Sequence, residues 1–236
     1  IKTDDDRATA ASALCEGDAT LVMSEFMLKN LSLDTLKSAV TSSLTQNMDQ
    51  IAKAPRYLRE MLVFPYLRGQ EFASALFQEG GYEAISKAYE KPPSSTTQIL
   101  HPEKFMGASR EEPIRIEWSD LQVKGQMPIA DNVLGEMGIR ILFSEWLDAT
   151  VAEHASAGWR GDRYLCFDNG NGLVWKSVWS TPEEAAAFLE AEKKTLAKRY
   201  AGERVTRCVL KNGTEVLVID ASDEAWAGAL EEQFGK

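Results

Sequence analysis

The apolar residues of this chain change period at Gly158, and that change decides what it can fold into. Upstream they recur at the 3.6-residue spacing of helices, downstream at the two-residue alternation of strands. Residues 163–167 and 173–179 read as strands joined over Asp168-Asn169-Gly170-Asn171-Gly172, residue types that accept positive φ. Residues 205–210 and 215–219 form a second hairpin over Asn212-Gly213. Between the hairpins, Thr181 precedes Pro182-Glu183-Glu184, which is a helix cap, a first-turn proline and first-turn acids. Ser222-Asp223 caps the last helix. The chain is therefore expected to be α+β: a mainly helical body over 1–158, then a small antiparallel ββαββα layer over 159–236 with its helices on a single face.

The helical body opens with residues 7–30, RATAASALCEGDATLVMSEFMLKN. At about 100° per residue, Ala10, Leu14, Leu21 and Leu28 lie in one wide apolar arc that also contains Asp18 and Glu25. Glu16 sits between Met23 and Met27 on the other side. A helix apolar nearly all round is normally enclosed by protein. A carboxylate enclosed without partners gives up its charge or costs several kcal/mol. Glu16 and Asp18 therefore call for a cation, a metal or strong donors: a salt bridge or cap to a neighbouring helix on one reading, a metal site on the other.

Further along, Ser32 starts a second helix rich in Ser and Thr, and Pro55 suits the first turn of a third. Pro65 removes an interior hydrogen bond from that helix, so a kink or break is expected at Phe64. Gly80-Gly81 ends it, and a shorter helix follows as far as Pro92-Pro93. Residues 94–105 read as a capped single turn followed by a turn at His101-Pro102. Residues 106–132 form a long surface connection, with a short strand at IRIEW. Helical spacing then returns over 133–157.

A net charge of -10 argues against nucleic acid as a partner. No run approaches the roughly 20 apolar residues of a membrane span. Cys166 and Cys208 pair only if their strands are neighbours and are otherwise small buried thiols. The chain opens on Ile1, which reads as the start of a processed piece. A signal peptide ahead of it would place the protein in the cell envelope or outside the cell.

Six stretches taken in order carry a resemblance: ALCEGDATLVM (13–23), FPYLRGQEF (64–72), GGY (80–82), PPSSTTQILHPEKF (92–105), LGEMGIRILFSEWL (134–147) and AGWRGDRY (157–164). Together they resemble a family of bacterial proteins predicted to be zinc-dependent metallopeptidases of the gluzincin type, which carry HExxH on a helix upstream of the EGDA helix. The resemblance implies Glu16 as the third zinc ligand, Asp18 as the residue that steadies the site, and a peptide or protein substrate. In such a site zinc lowers the pKa of its water to about 7 and an adjacent carboxylate takes the proton. This chain departs from the pattern in having no HExxH, and its two histidines, His101 and His154, lie far apart. Zinc is thus expected only with histidines from a missing upstream segment, and the piece as given is expected to be inactive.

In a complete site His101 would stabilise the oxyanion of the tetrahedral intermediate; otherwise it is a histidine held by the following proline. His154 reads as structural. Glu136, Asp162 and Arg163 are the remaining polar residues in the family-like stretches. For Gly161-Asp162-Arg163, an ion pair locking the two layers comes first and a substrate contact second. The competing reading of the whole chain is a noncatalytic binding or assembly module. Its motivation is the missing HExxH together with tryptophans in the partly polar stretches EEPIRIEWSD and AGWRGD, where aromatics often anchor partners.

Overall fold

The computed structural model describes residues 3–32, 35, 53–168 and 171–235. They form two compact units, Arg7–Glu111 and a second built from Ile1–Asp6 with Glu112–Lys236. The structure thus divides at residue 111, and the helices after it share a unit with the sheet. The helix expected after Ser32 lies outside the described residues.

The Arg7–Glu111 unit contains most of α1 (Asp5–Asn30), then α2 (Arg56–Glu90) and the short α3 (Thr96–Leu100). Small residues allow α1 and α2 to touch backbone to backbone. A Cβ on Gly17 would lie 2.0 Å from the Gly69 carbonyl oxygen, and one on Gly69 2.2 Å from that of Ala13. Around this crossing Ala10, Ala13, Leu14, Phe72, Ala73 and Leu76 are buried. The later turns of α1 are not enclosed: Phe26 is 61% and Leu28 73% exposed. The expected all-round burial therefore holds only where alanine and glycine permit close approach.

Backbone torsions in α2 stay helical through Pro65, and the expected break at Phe64 is absent. Phe64 and Pro65 are both buried, so packing offsets the single hydrogen bond the proline removes. The interruption falls instead at Gly80 (φ -159°, ψ 26°) and Gly81 (φ 63°, ψ -157°). Beyond it the helix runs back along α1. The Tyr82 hydroxyl donates to Glu25 Oε2 at 3.1 Å and the Tyr89 hydroxyl to Asp18 Oδ2 at 3.0 Å. At α3 the fully buried Gln98 replaces the expected serine cap: Oε1 accepts from Ser94 N at 2.7 Å and Nε2 donates to Glu111 O at 2.8 Å.

The second unit is an antiparallel five-stranded sheet in the order β1-β2-β3-β5-β4. Its strands are β1 (Ala130–Asn132), β2 (Trp159–Phe167), β3 (Gly172–Trp179), β4 (Val205–Lys211) and β5 (Glu215–Ala221). Both expected hairpins are present. Asp168 (φ 42°) precedes β3, and Asn212 (φ 50°) and Gly213 (φ 78°) turn the chain from β4 to β5. The extra strand, β1, comes from the stretch read as a surface connection. IRIEW is not a strand: Ile114 N donates to Arg160 O at 2.6 Å, and Gly161 has no side chain to block that approach. The 133–157 helix is two, α4 (Gly135–Ser144) and α5 (Ala149–Ser156). Between them Lys198 Nζ donates to the Trp146 carbonyl at 2.7 Å.

Helices α6 (Pro182–Tyr200) and α7 (Glu224–Phe234) start at the caps foreseen. Thr181 accepts from Glu184 N at 3.2 Å, and Asp223 accepts from Trp226 N at 2.8 Å. The expectation of helices on one face is corrected. Trp175, Val216 and Val218 pack under α4, α5 and α6, whereas Leu165, Phe167, Val174, Leu217 and Ile219 pack under α7. Alternation along β3 and β5 made this visible only in part, because strands buried on both faces lose their polar side. All three cysteines are free thiols. Two strands separate Cys166 on β2 from Cys208 on β4, about 14 Å at ordinary strand spacing, too far for a bond.

Candidate functional site

In the Arg7–Glu111 unit, Glu16 and Asp18 are both half-buried on α1. The Asp18 carboxylate is held by the Tyr89 hydroxyl, and burial together with that hydrogen bond pushes the Tyr89 pKa well above its usual value. The Glu16 carboxylate has no protein partner among the described residues; its carbonyl accepts from Thr20 Oγ1 at 2.6 Å. His101 ends α3 and starts the single 3-10 turn Pro102–Lys104, with its N–H bonded to Thr97 O at 2.9 Å. Its Nδ1 lies 3.9 Å from Glu103 Oε1. Among the described residues no three His, Cys, Asp or Glu side chains form a group able to hold a metal. Glu16 is one donor, so a zinc set would need ligands beyond those residues.

In the sheet unit the two neighbours Asp162 and Arg163 point to opposite faces of β2, as strand alternation requires. The buried Asp162 carboxylate accepts four N–H groups. Oδ1 takes Gly135 N at 2.9 Å and Trp159 Nε1 at 2.8 Å; Oδ2 takes Leu134 N at 3.0 Å and Trp175 Nε1 at 2.9 Å. Burial pushes its pKa up, while the four donors pull it down. It thereby fixes the start of α4 and two core indoles to β2. Arg163 forms a two-pronged ion pair with Asp131 of β1, at 2.8 and 2.7 Å, and donates to Ile116 O at 3.0 Å. Its guanidinium also lies 5.2 Å from the Trp118 ring centre. The Asp131 carboxylate raises the Arg163 pKa despite burial. Glu136 is buried in the first turn of α4, where the helix dipole favours a carboxylate. His154 is exposed on α5. Trp118 packs against Phe234 at 5.1 Å and Trp159 is buried, so both contribute to the core of this unit.

A further opening lies elsewhere in this unit. A groove of about 480 Å³ runs between the end of α6 and the outer side of β4, lined by Lys193, Leu196, Tyr200, Arg204, Thr206 and Cys208. Arg204 Nε donates to the buried Asp220 carboxylate of β5. Burial, then Asp220, pushes the Tyr200 hydroxyl up to about 12. On the same helix, one residue before Lys193 of the groove, Glu192 is 4% exposed, and its Oε2 has no hydrogen-bond partner among the described residues. Burial pushes the Glu192 carboxyl up to about 7, and burial together with Glu192 pushes the Cys208 thiol up to about 12. Sequence reasoning missed this cluster. The available signals were an acid at Glu192, four residues from both Phe188 and Leu196 on one helix face, and Asp220 at an inward position of β5.

A family described as a domain of unknown function (DUF8575) matches residues 123–231. The matched stretch holds all five strands, the Asp162 cluster and the groove. No curated protein and no solved structure matches the chain.

Proposed function

We propose that the 112–236 unit is a noncatalytic binding module whose contact site is the groove between α6 and β4. The observation that carries this reading is a cavity of about 480 Å³ beside a strand that ends the sheet. Its volume is in the range of sites that bury a small ligand or a few side chains of a partner. A supporting point is that Asp162 spends its four acceptor positions, and Arg163 four of its five N–H groups, on bonds within the fold. The test is amide shift mapping on the 15N-labelled chain with a pool of short peptides of mixed sequence. Shifts at Leu196, Tyr200 and Cys208, lost when Ala197→Trp fills the groove, are expected. A pool that leaves those amides unmoved in the wild-type chain refutes the reading.

A second reading concerns the 7–111 unit, as the C-terminal portion of a zinc metallopeptidase-like protein. The half-buried Glu16 carboxylate without a described partner, beside an Asp18 already oriented by Tyr89, supports it. Glu16 would complete a zinc set begun by two histidines upstream of Ile1, and His101 would face the oxyanion of a peptide substrate. If the gene encodes an HExxH helix there, the extended protein should hold zinc. Glu16→Ala should then lower its zinc affinity by tenfold or more at unchanged helix content. Equal zinc content in the two proteins ends this reading.

A further inference from the structure

Strand β4 ends the sheet, so every second residue along Val205–Lys211 turns its N–H and C=O away from β5, with no strand among the described residues to receive them. Proteins usually guard such an edge with a bulge, a proline, a very short strand or inward-pointing charge. The opposite edge of this sheet follows that practice, since β1 is three residues long. β4 does not. Its seven residues pair with β5 in unbroken register and include no proline. Its two cations are drawn to the far face, where Arg207 meets Glu224 and Glu231 and Lys211 donates to the Gly235 carbonyl.

On the near face Thr206 and Cys208 form one wall of the groove, and Leu196 and Tyr200 of α6 form the other. A helix running beside an open strand, with a slot between them, is the arrangement that receives an added strand: backbone bonds supply affinity and alternate side chains enter the slot. The charge of the slot selects the segment. Lys193 is exposed at its rim and has no acid partner among the described residues, unlike Lys194, which is paired with Glu190 at 2.7 Å. Arg204 stands at the other wall. The nearby Asp220 is held by Arg204, and Glu192 is buried and does not line the groove. With Arg204 offset by Asp220, the positive charge at the slot is that of Lys193, on a chain whose net charge is -10.

We infer that β4 accepts an extended acidic segment of a partner protein as a sixth, antiparallel strand, with one apolar side chain against Leu196 and Tyr200 and a carboxylate at Lys193. This rests on the groove being a binding site and adds the backbone mode and the charge of the occupant.

The test uses the full chain and an acidic peptide of alternating Val and Glu, its Lys counterpart, and a series of the acidic peptide N-methylated one position at a time. Binding is read by fluorescence anisotropy. The acidic peptide should bind at least tenfold tighter than the Lys peptide. N-methylation should weaken it at least tenfold at every second position and little between, and Lys193→Glu should weaken it at least fivefold. Methylation effects without the two-residue alternation would overturn strand addition while leaving the groove as a site. Failure of both peptides to bind, with groove amides still shifting toward the mixed pool, would overturn the acidic segment alone. Failure of both with no shift from the pool would overturn the groove reading as well. A concentration-dependent dimer in light scattering that Val209→Pro abolishes would identify a second copy as the occupant and overturn the inference.

Discussion

Replacing Asp162 by Asn keeps the shape of the side chain and removes one acceptor oxygen from a site with four donors. Whichever oxygen becomes NH2, one backbone N–H and one indole N–H lose their partner, because each oxygen serves one of each kind. A buried donor left unsatisfied costs about 1–3 kcal/mol, so the two together cost roughly 2–6 kcal/mol. The amide is spared the desolvation of a charge, which returns part of this, and the expected net loss is about 3 kcal/mol. All six tryptophans lie between Trp118 and Trp226, so tryptophan fluorescence in urea reports the sheet unit without contribution from residues 7–111. With a urea slope of about 2 kcal/mol/M, the midpoint of that transition should fall by about 1.5 M. A midpoint within about 0.3 M of wild type would show that the four bonds do not carry the start of α4, and the argument would fail.

Glu192 should give the sheet unit a pH dependence. With its folded pKa raised to about 7 above an ordinary carboxyl value, its contribution is fully present below about pH 4 and is lost as pH rises through 7. The wild-type chain should lose about 3 kcal/mol more than Glu192→Gln between pH 4 and pH 9, read by urea melts at several pH values; parallel profiles would contradict it. Arg163→Met leaves Asp131 buried without its cation and should cost about 3–5 kcal/mol, most of which a second change, Asp131→Leu, should restore. In the other unit, Gly17→Ala places a methyl group against the Gly69 carbonyl. An overpacking cost of about 1–3 kcal/mol should outweigh the gain of about 1 kcal/mol in helix propensity, seen as faster amide exchange in α1 and α2.

The elements that could be read from the sequence are those specified by neighbouring residues. The two hairpins, the Thr181 and Asp223 caps, the glycine break in α2 and the α+β class all follow from local torsional preferences and spacing, which a chain carries before it folds. Local rules misled where packing could override them. Pro65 stays inside a helix because its surroundings are buried, and Ala130–Asn132 becomes a strand only because β2 offers an edge. The same limit applies to the candidate sites. The family-like stretches singled out Asp162 and Arg163, but their partners, two indoles, two amides and Asp131, come from elsewhere in the chain. The groove joins α6 to a strand that is exposed only because of the order in which the strands lie. Side-chain alternation and capping are encoded within a few residues, whereas strand order and the partner of a buried charge depend on distant segments meeting, and those were decided by the tertiary fold.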